Sequence, residues 1–159
     1  MLELAIARML HLLAIIHWIG GVAMATLVVL PGVARLPDPA ERMARFEAVE
    51  SRFAPQARLS IVIVGLTGFY MTWRMDAWYR FSEPGYWWMH AMVCVWLLFV
   101  LLLFVGEPLF LHRWFHKRAA ADSDRAFAFA IRAHQLLLAA ALVTIAGAVL
   151  GAHGVLLFT

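Results

Sequence analysis

Four histidines inside otherwise apolar runs are the residues of this chain best equipped for chemistry: His11, His17, His90 and His134. A neutral imidazole ligates haem iron, copper and zinc. An ionisable side chain in so apolar a stretch is costly to leave without a partner. His112, His116, His153, Glu107 and Cys94 complete the candidates. The one cysteine lies in an apolar run, and no CxxC or CxxCH motif occurs, which excludes a disulfide framework, a zinc ribbon and a c-type haem.

A buried haem b asks for imidazoles from facing helices at one depth. Counting into each apolar run at about 1.5 Å per residue puts His11, His90 and His153 at one level and His17 about 9 Å deeper. Glu107, His112, His116 and His134 fall towards the other end. His11 and His90 are therefore the expected axial pair, with His17 and His134 as alternates or as ligands of a second haem. Trp18, seven residues after His11 and on its face, would flank a flat macrocycle, as would Trp87, Trp88 and Trp96. Taken singly, each histidine reads more simply as bonded to a carbonyl, and tryptophans near helix ends as interfacial anchors.

Copper is the competing cofactor, since His and Met suit it and the chain has eight Met, among them Met24, Met89 and Met92. No Met-x-x-Met or His-x-His cluster accompanies them. His112 and His116 lie one turn apart with metal-binding spacing, but beside Arg113, Lys117 and Arg118 they read as a juxtamembrane anchor. Glu107-Pro108 marks a kink, with the carboxylate bonded to a neighbouring helix or placed on a proton path. No acid, base and nucleophile stand in a defined arrangement, so no catalytic residue is named and enzymatic activity stays open.

The elements that would position these residues follow from composition. Of 159 residues, 64% are hydrophobic and 14% charged, whereas a soluble domain is about half apolar and a quarter charged. The excess is gathered in four blocks, at about 4–30, 57–75, 86–111 and 133–158. About 20 residues cross a bilayer, and the second block is the shortest. The apolar run after Met1 is too long for a secretory signal, although Ala23-Met24-Ala25 mimics a cleavage site. The expected fold is all-α: one domain, an integral membrane four-helix bundle. Arg35, Arg42, Arg45, Arg52 and Arg58 follow the first block, and Arg113, Lys117, Arg118, Arg125 and Arg132 follow the third. Only Arg8, Arg74 and Arg80 lie on the other side, so the positive-inside rule puts both termini in the periplasm of a bacterial inner membrane. The net charge of +3 is thus topological, and nothing interleaves basic and aromatic residues as a nucleic-acid surface would.

Asp38-Pro39 with Glu41 reads as an N-cap, a proline at the first helical position and a capping-box carboxylate. Met43, Phe46 and Phe53 follow at helical spacing, predicting a short amphipathic helix in the first cytoplasmic loop. Asp122 and Asp124 mark a plain turn. Gly20, Gly21, Gly65, Gly68, Gly147 and Gly151 are expected to permit close helix packing.

Leu10-His11, a short apolar spacer and Trp18-Ile19-Gly20-Gly21 resemble the first-helix pattern of the CopD copper-resistance membrane domain. The same spacing is similar to that of HemJ-type protoporphyrinogen oxidases. Phe46-Glu47 through Glu50-Ser51-Arg52, Pro55 and Gly65-Leu66 resembles the HemJ first loop and second helix. Trp88-Met89-His90-Ala91-Met92 resembles its Trp-Leu-His-x-Lys motif. The resemblance implies a haem-b-binding bundle with His11 as the carried-over histidine. HemJ has a functional lysine where this chain has Met92, which argues against protoporphyrinogen oxidation, and His17 is not part of the HemJ pattern. The expectation is a haem b membrane protein that moves electrons, with a quinone or a redox protein as partner. The alternatives are a copper transporter of the CopD kind and a structural subunit of a larger complex; a homo-oligomer is compatible with all three.

Overall fold

A computed structural model describes residues 1–155. Four long helices run up and down: α1 (Leu2–Ala34), α2 (Pro39–Arg74), α3 (Pro84–Ala121) and α4 (Ser123–Ala152), with no strand among the described residues. Helices α1, α3 and α4 are long and apolar enough to cross a membrane. Their outward side chains are apolar: Leu12, Leu13, Ile16, Leu27, Leu97, Leu98, Leu101, Leu136 and Val143 are all exposed. Such a belt suits lipid contact, since water would not tolerate so large an apolar surface. Helix α2 differs from the expected pair of elements. The amphipathic loop helix and the second apolar block form one 36-residue helix, with Pro55 inside it. Its charged half carries Glu47, Glu50, Arg52 and Arg58, and only Leu59 to Trp73 is continuously apolar or weakly polar.

The caps follow local chemistry. The Asp38 carboxylate accepts from the Ala40 amide at 3.0 Å, with Pro39 at the first helical position. Glu41 pairs with Arg45 one turn on. Helix α2 ends where Asp76 adopts a left-handed φ of 51°, and the Ala77 and Asp76 amides bond to the Thr72 and Trp73 carbonyls. Gly154, at φ 81°, closes α4 in the same way, so this helix stops at Ala152, short of the expected end. Residues 156–159 of the expected fourth block lie outside the described residues. The turn between α3 and α4 is a single residue, Asp122, whose carboxylate accepts from the Arg125 amide at 3.0 Å.

Two cores stack along the bundle. One joins Trp18, Ile19 and Val22 of α1, Ala57, Ile61 and Val64 of α2, Phe99 of α3, and Leu138 and Ala141 of α4. The other, at the end carrying the ten basic residues, joins Leu30, Val33, Phe127 and Ala130, flanked by Phe46 and Phe115. An Arg42–Asp124 ion pair ties α2 to α4 there.

Glycines set the helix contacts. A Cβ at Gly21 would lie 2.0 Å from the Phe53 ring, at Gly65 2.6 Å from Trp96, at Gly147 2.5 Å from Trp87, and at Gly151 2.0 Å from the Trp88 indole nitrogen. Gly20 has nothing within 4 Å. Gly147→Ala is therefore expected to cost about 1–3 kcal/mol through overpacking. Gly20→Ala should be neutral or slightly stabilising through helix propensity. Thermal unfolding of both variants in detergent checks this pair; equal melting temperatures would contradict the glycine-wedge reading.

Candidate functional site

Helix α1 brings His11 against α2. Its Nδ1 lies 2.8 Å from the Thr67 hydroxyl. That hydroxyl sits 2.6 Å from the Ile63 carbonyl and 3.3 Å from the Val64 carbonyl, and a carbonyl can only accept. The Thr67 proton is thereby committed, and its oxygen can only accept from the imidazole. In the neutral ring Nδ1 carries the hydrogen and Nε2 keeps a bare lone pair. This is the arrangement in which metal-ligating histidines are held by their outer partners. Gly68 leaves room for the ring, since a Cβ there would lie 3.2 Å from His11 Cε1.

About 10 Å further along α1, on the same face, Trp18 is buried at 4% exposure. Its ring meets Phe99 edge-on, with centroids 4.8 Å apart. Its indole N–H is buried without a hydrogen-bond partner. An unmet donor of this kind costs about 1–3 kcal/mol.

The other expected ligands are placed differently. The Trp18–Phe99 contact registers α1 against α3. His90 precedes Phe99 by nine residues, which is about two and a half turns, so its height falls within about 3 Å of that of His11 but its azimuth is opposite to Phe99. His90 is accordingly exposed, packs edge-on against Phe81 at 5.3 Å and lines an open depression with Ser82, Glu83 and Trp87. His17 is exposed on the outer surface of α1. His134 is half-buried on the inner face of α4, with Nδ1 donating to the Ala130 carbonyl at 2.9 Å. His153 does the same to the Val149 carbonyl at 2.8 Å. The fold brings His11 and Trp18 to one inner face; it does not turn His90 towards them.

What the sequence reading did not assemble is a polar cluster at the basic end. Glu47, Glu50, Ser51, Glu107 and His112 line a cavity of about 310 Å³ between α2 and α3. His116 Nε2 lies 2.6 Å from the Glu47 carboxylate, and the His112 and His116 rings are 4.3 Å apart. Above them Arg58 Nη2 lies 2.7 Å from the Glu107 carboxylate, and Arg58 Nε donates to the Leu103 carbonyl at 3.0 Å. That carbonyl is free for a local reason. The Leu101–Leu111 stretch of α3 is wound as a π-helix, in which the amide of residue 108 would bond to the carbonyl of residue 103. Residue 108 is proline and has no N–H. The i,i+4 spacing of His112 and His116 and the Glu107-Pro108 kink were the available signals; the contribution of Glu47 and Glu50 from another helix was not.

Burial pushes the Glu50 carboxyl above its ordinary value, and the neighbouring Glu107 carboxylate adds to the effect. A carboxyl that holds its proton more tightly in the folded state favours folding while protonated. That advantage disappears as pH rises from the ordinary carboxylate range through the raised folded value. Glu50→Gln should therefore melt higher than the parent at pH 7, with the gap narrowing towards pH 4; a pH-independent gap would refute the assignment.

No family model, no curated protein and no solved structure matches the chain.

Proposed function

We propose that this chain is a haem-b-binding membrane protein of the CopD/HemJ type, in which His11 would hold the haem iron and the bound group would serve electron transfer. The observation carrying this reading is the 2.8 Å contact of His11 Nδ1 with the Thr67 hydroxyl, which itself bonds to the Ile63 carbonyl; the neutral imidazole then offers Nε2 as its free lone pair. The unmet Trp18 N–H on the same face fits a ligand that brings its own acceptor, as a propionate or a quinone carbonyl would. Haem, when bound, supplies a one-electron couple; the chain orients the imidazole through Thr67 and leaves room for its ring at Gly68. The outward azimuth of His90 favours His11 as the ligand from within one chain, without His90 opposite it.

In the same reading all four helices cross a bacterial inner membrane, with both termini periplasmic. The apolar half of α2 shares its core with α1, α3 and α4 through Ile61 and Val64. Leu59, Leu66 and Trp73 of α2 are exposed at that level, as lipid-facing residues would be. The thirteen Lys and Arg divide ten to three between the two ends.

Purified from haem-replete cells, the protein should be red, with one haem per chain and a sharp α-band on reduction. His11→Ala should lose the Soret band, while His90→Ala should keep it. A colourless preparation, or full haem retention in His11→Ala, would overturn the reading, and stoichiometric copper in a colourless sample would favour copper handling.

A further inference from the structure

We propose that Glu47, His112 and His116 form a binding site for a first-row divalent metal ion, of the zinc class, joining α2 to α3 at the basic end of the bundle. Their ligand atoms all lie within 4.8 Å of one another, and they are the group of this kind found among the described residues. One ion at about 2.0–2.2 Å from each ligand would hold such atoms somewhat closer, within reach of small side-chain rotations. His112 and His116 are one turn apart, so both rings leave α3 on one face, while Glu47 comes from α2. Arg113 and Lys117 leave α3 at other azimuths, and Arg118 lies over the Trp114 ring, 5.6 Å from its centre. The cationic side chains of this helix therefore flank the site without filling it.

Two imidazoles and one carboxylate are a borderline-soft donor set, suited to Zn²⁺ and its first-row neighbours more than to Mg²⁺ or Ca²⁺. Three protein ligands leave a fourth position for water or another ligand. The adjoining cavity, lined also by Glu50 and Ser51, provides the room and an approach route. Without metal, His116 and Glu47 satisfy each other at 2.6 Å. Metal entry would replace that contact.

The test titrates Zn²⁺ into the chelator-stripped, detergent-solubilised full chain against a chromophoric competitor, with Co²⁺ as a spectroscopic substitute. One ion per chain is expected, with visible Co²⁺ bands of low coordination number. His112→Ala, His116→Ala and Glu47→Gln should each weaken binding at least ~10-fold. His112 is exposed, so His112→Ala should keep the helical circular dichroism and the Soret band of the parent, which separates this site from the haem reading. Absence of one-to-one binding below about 0.1 mM, or unchanged affinity in a folded His112→Ala/His116→Ala double variant, would overturn the proposal.

Discussion

If His11 holds haem as proposed, replacing Thr67 with valine is expected to weaken haem retention by ~10–100-fold without unfolding the bundle, and serine at the same position should restore most of it. Valine keeps the shape of threonine and removes only the hydroxyl. Its loss frees the His11 ring to rotate and to exchange its hydrogen between Nδ1 and Nε2. The Ile63 and Val64 carbonyls keep their helical partners, so the fold loses little. Serine preserves the hydroxyl that receives the Nδ1 hydrogen and donates to α2, as Thr67 does at 2.6 Å. The readouts are haem stoichiometry after extended dialysis against apomyoglobin and the reduction midpoint of the retained haem. A purely structural threonine would shift melting temperature without changing haem dissociation. Equal dissociation rates for the parent, Thr67→Val and Thr67→Ser would remove Thr67 from any positioning role.

Loss of Arg58 should be the most damaging single change at the basic end, about 1–3 kcal/mol. Its guanidinium serves two acceptors on α3, the Glu107 carboxylate and the Leu103 carbonyl. The ion pair is only partly buried, with side chains 32% and 22% exposed, which keeps the expected cost below that of a fully buried pair. Glu107→Gln should cost less than Arg58→Leu, because an amide oxygen still accepts from the guanidinium. Pro108→Ala offers a second handle, since it returns an amide to the π-wound stretch that can bond to a carbonyl of its own helix. On the Arg58→Leu background it should recover part of the loss, whereas in the parent it should do little. Thermal or denaturant unfolding of the four variants measures the coupling, expected at roughly 0.5–3 kcal/mol. Strict additivity would mean that Arg58 does not serve the carbonyl left open by proline.

Much of this architecture is legible residue by residue. Apolar blocks too long for a soluble core announce the helices. Asp38-Pro39 announces where α2 begins, because an acidic side chain at an N-cap accepts from amides that have no helical partner. Asp122 reads as a plain turn before a helix starting near residue 133, whereas it caps a helix that already begins at Ser123. The glycines announced close packing, and Gly21, Gly65, Gly147 and Gly151 each face a ring that a Cβ would overlap, whereas Gly20 faces nothing within 4 Å. Continuity of α2 through Pro55 was less visible. A proline and a change from charged to apolar composition look like a boundary, yet the helix passes through because the Ala54 and Ala57 side chains are buried on its inner face.

Local structure was therefore legible in the sequence alone: helix type, the Asp38 cap and the charge asymmetry. Rotation of each helix about its axis was decided only by tertiary packing. A soluble amphipathic helix reveals its inner face by polar contrast, but a helix apolar on every side carries no such mark. The phase is set instead by which glycine accepts which ring, Gly65 with Trp96 and Gly147 with Trp87, and by the Trp18–Phe99 contact. That packing turns His11 and Trp18 inward and His90 outward, and it brings Glu47 to His112 and His116 from a different helix.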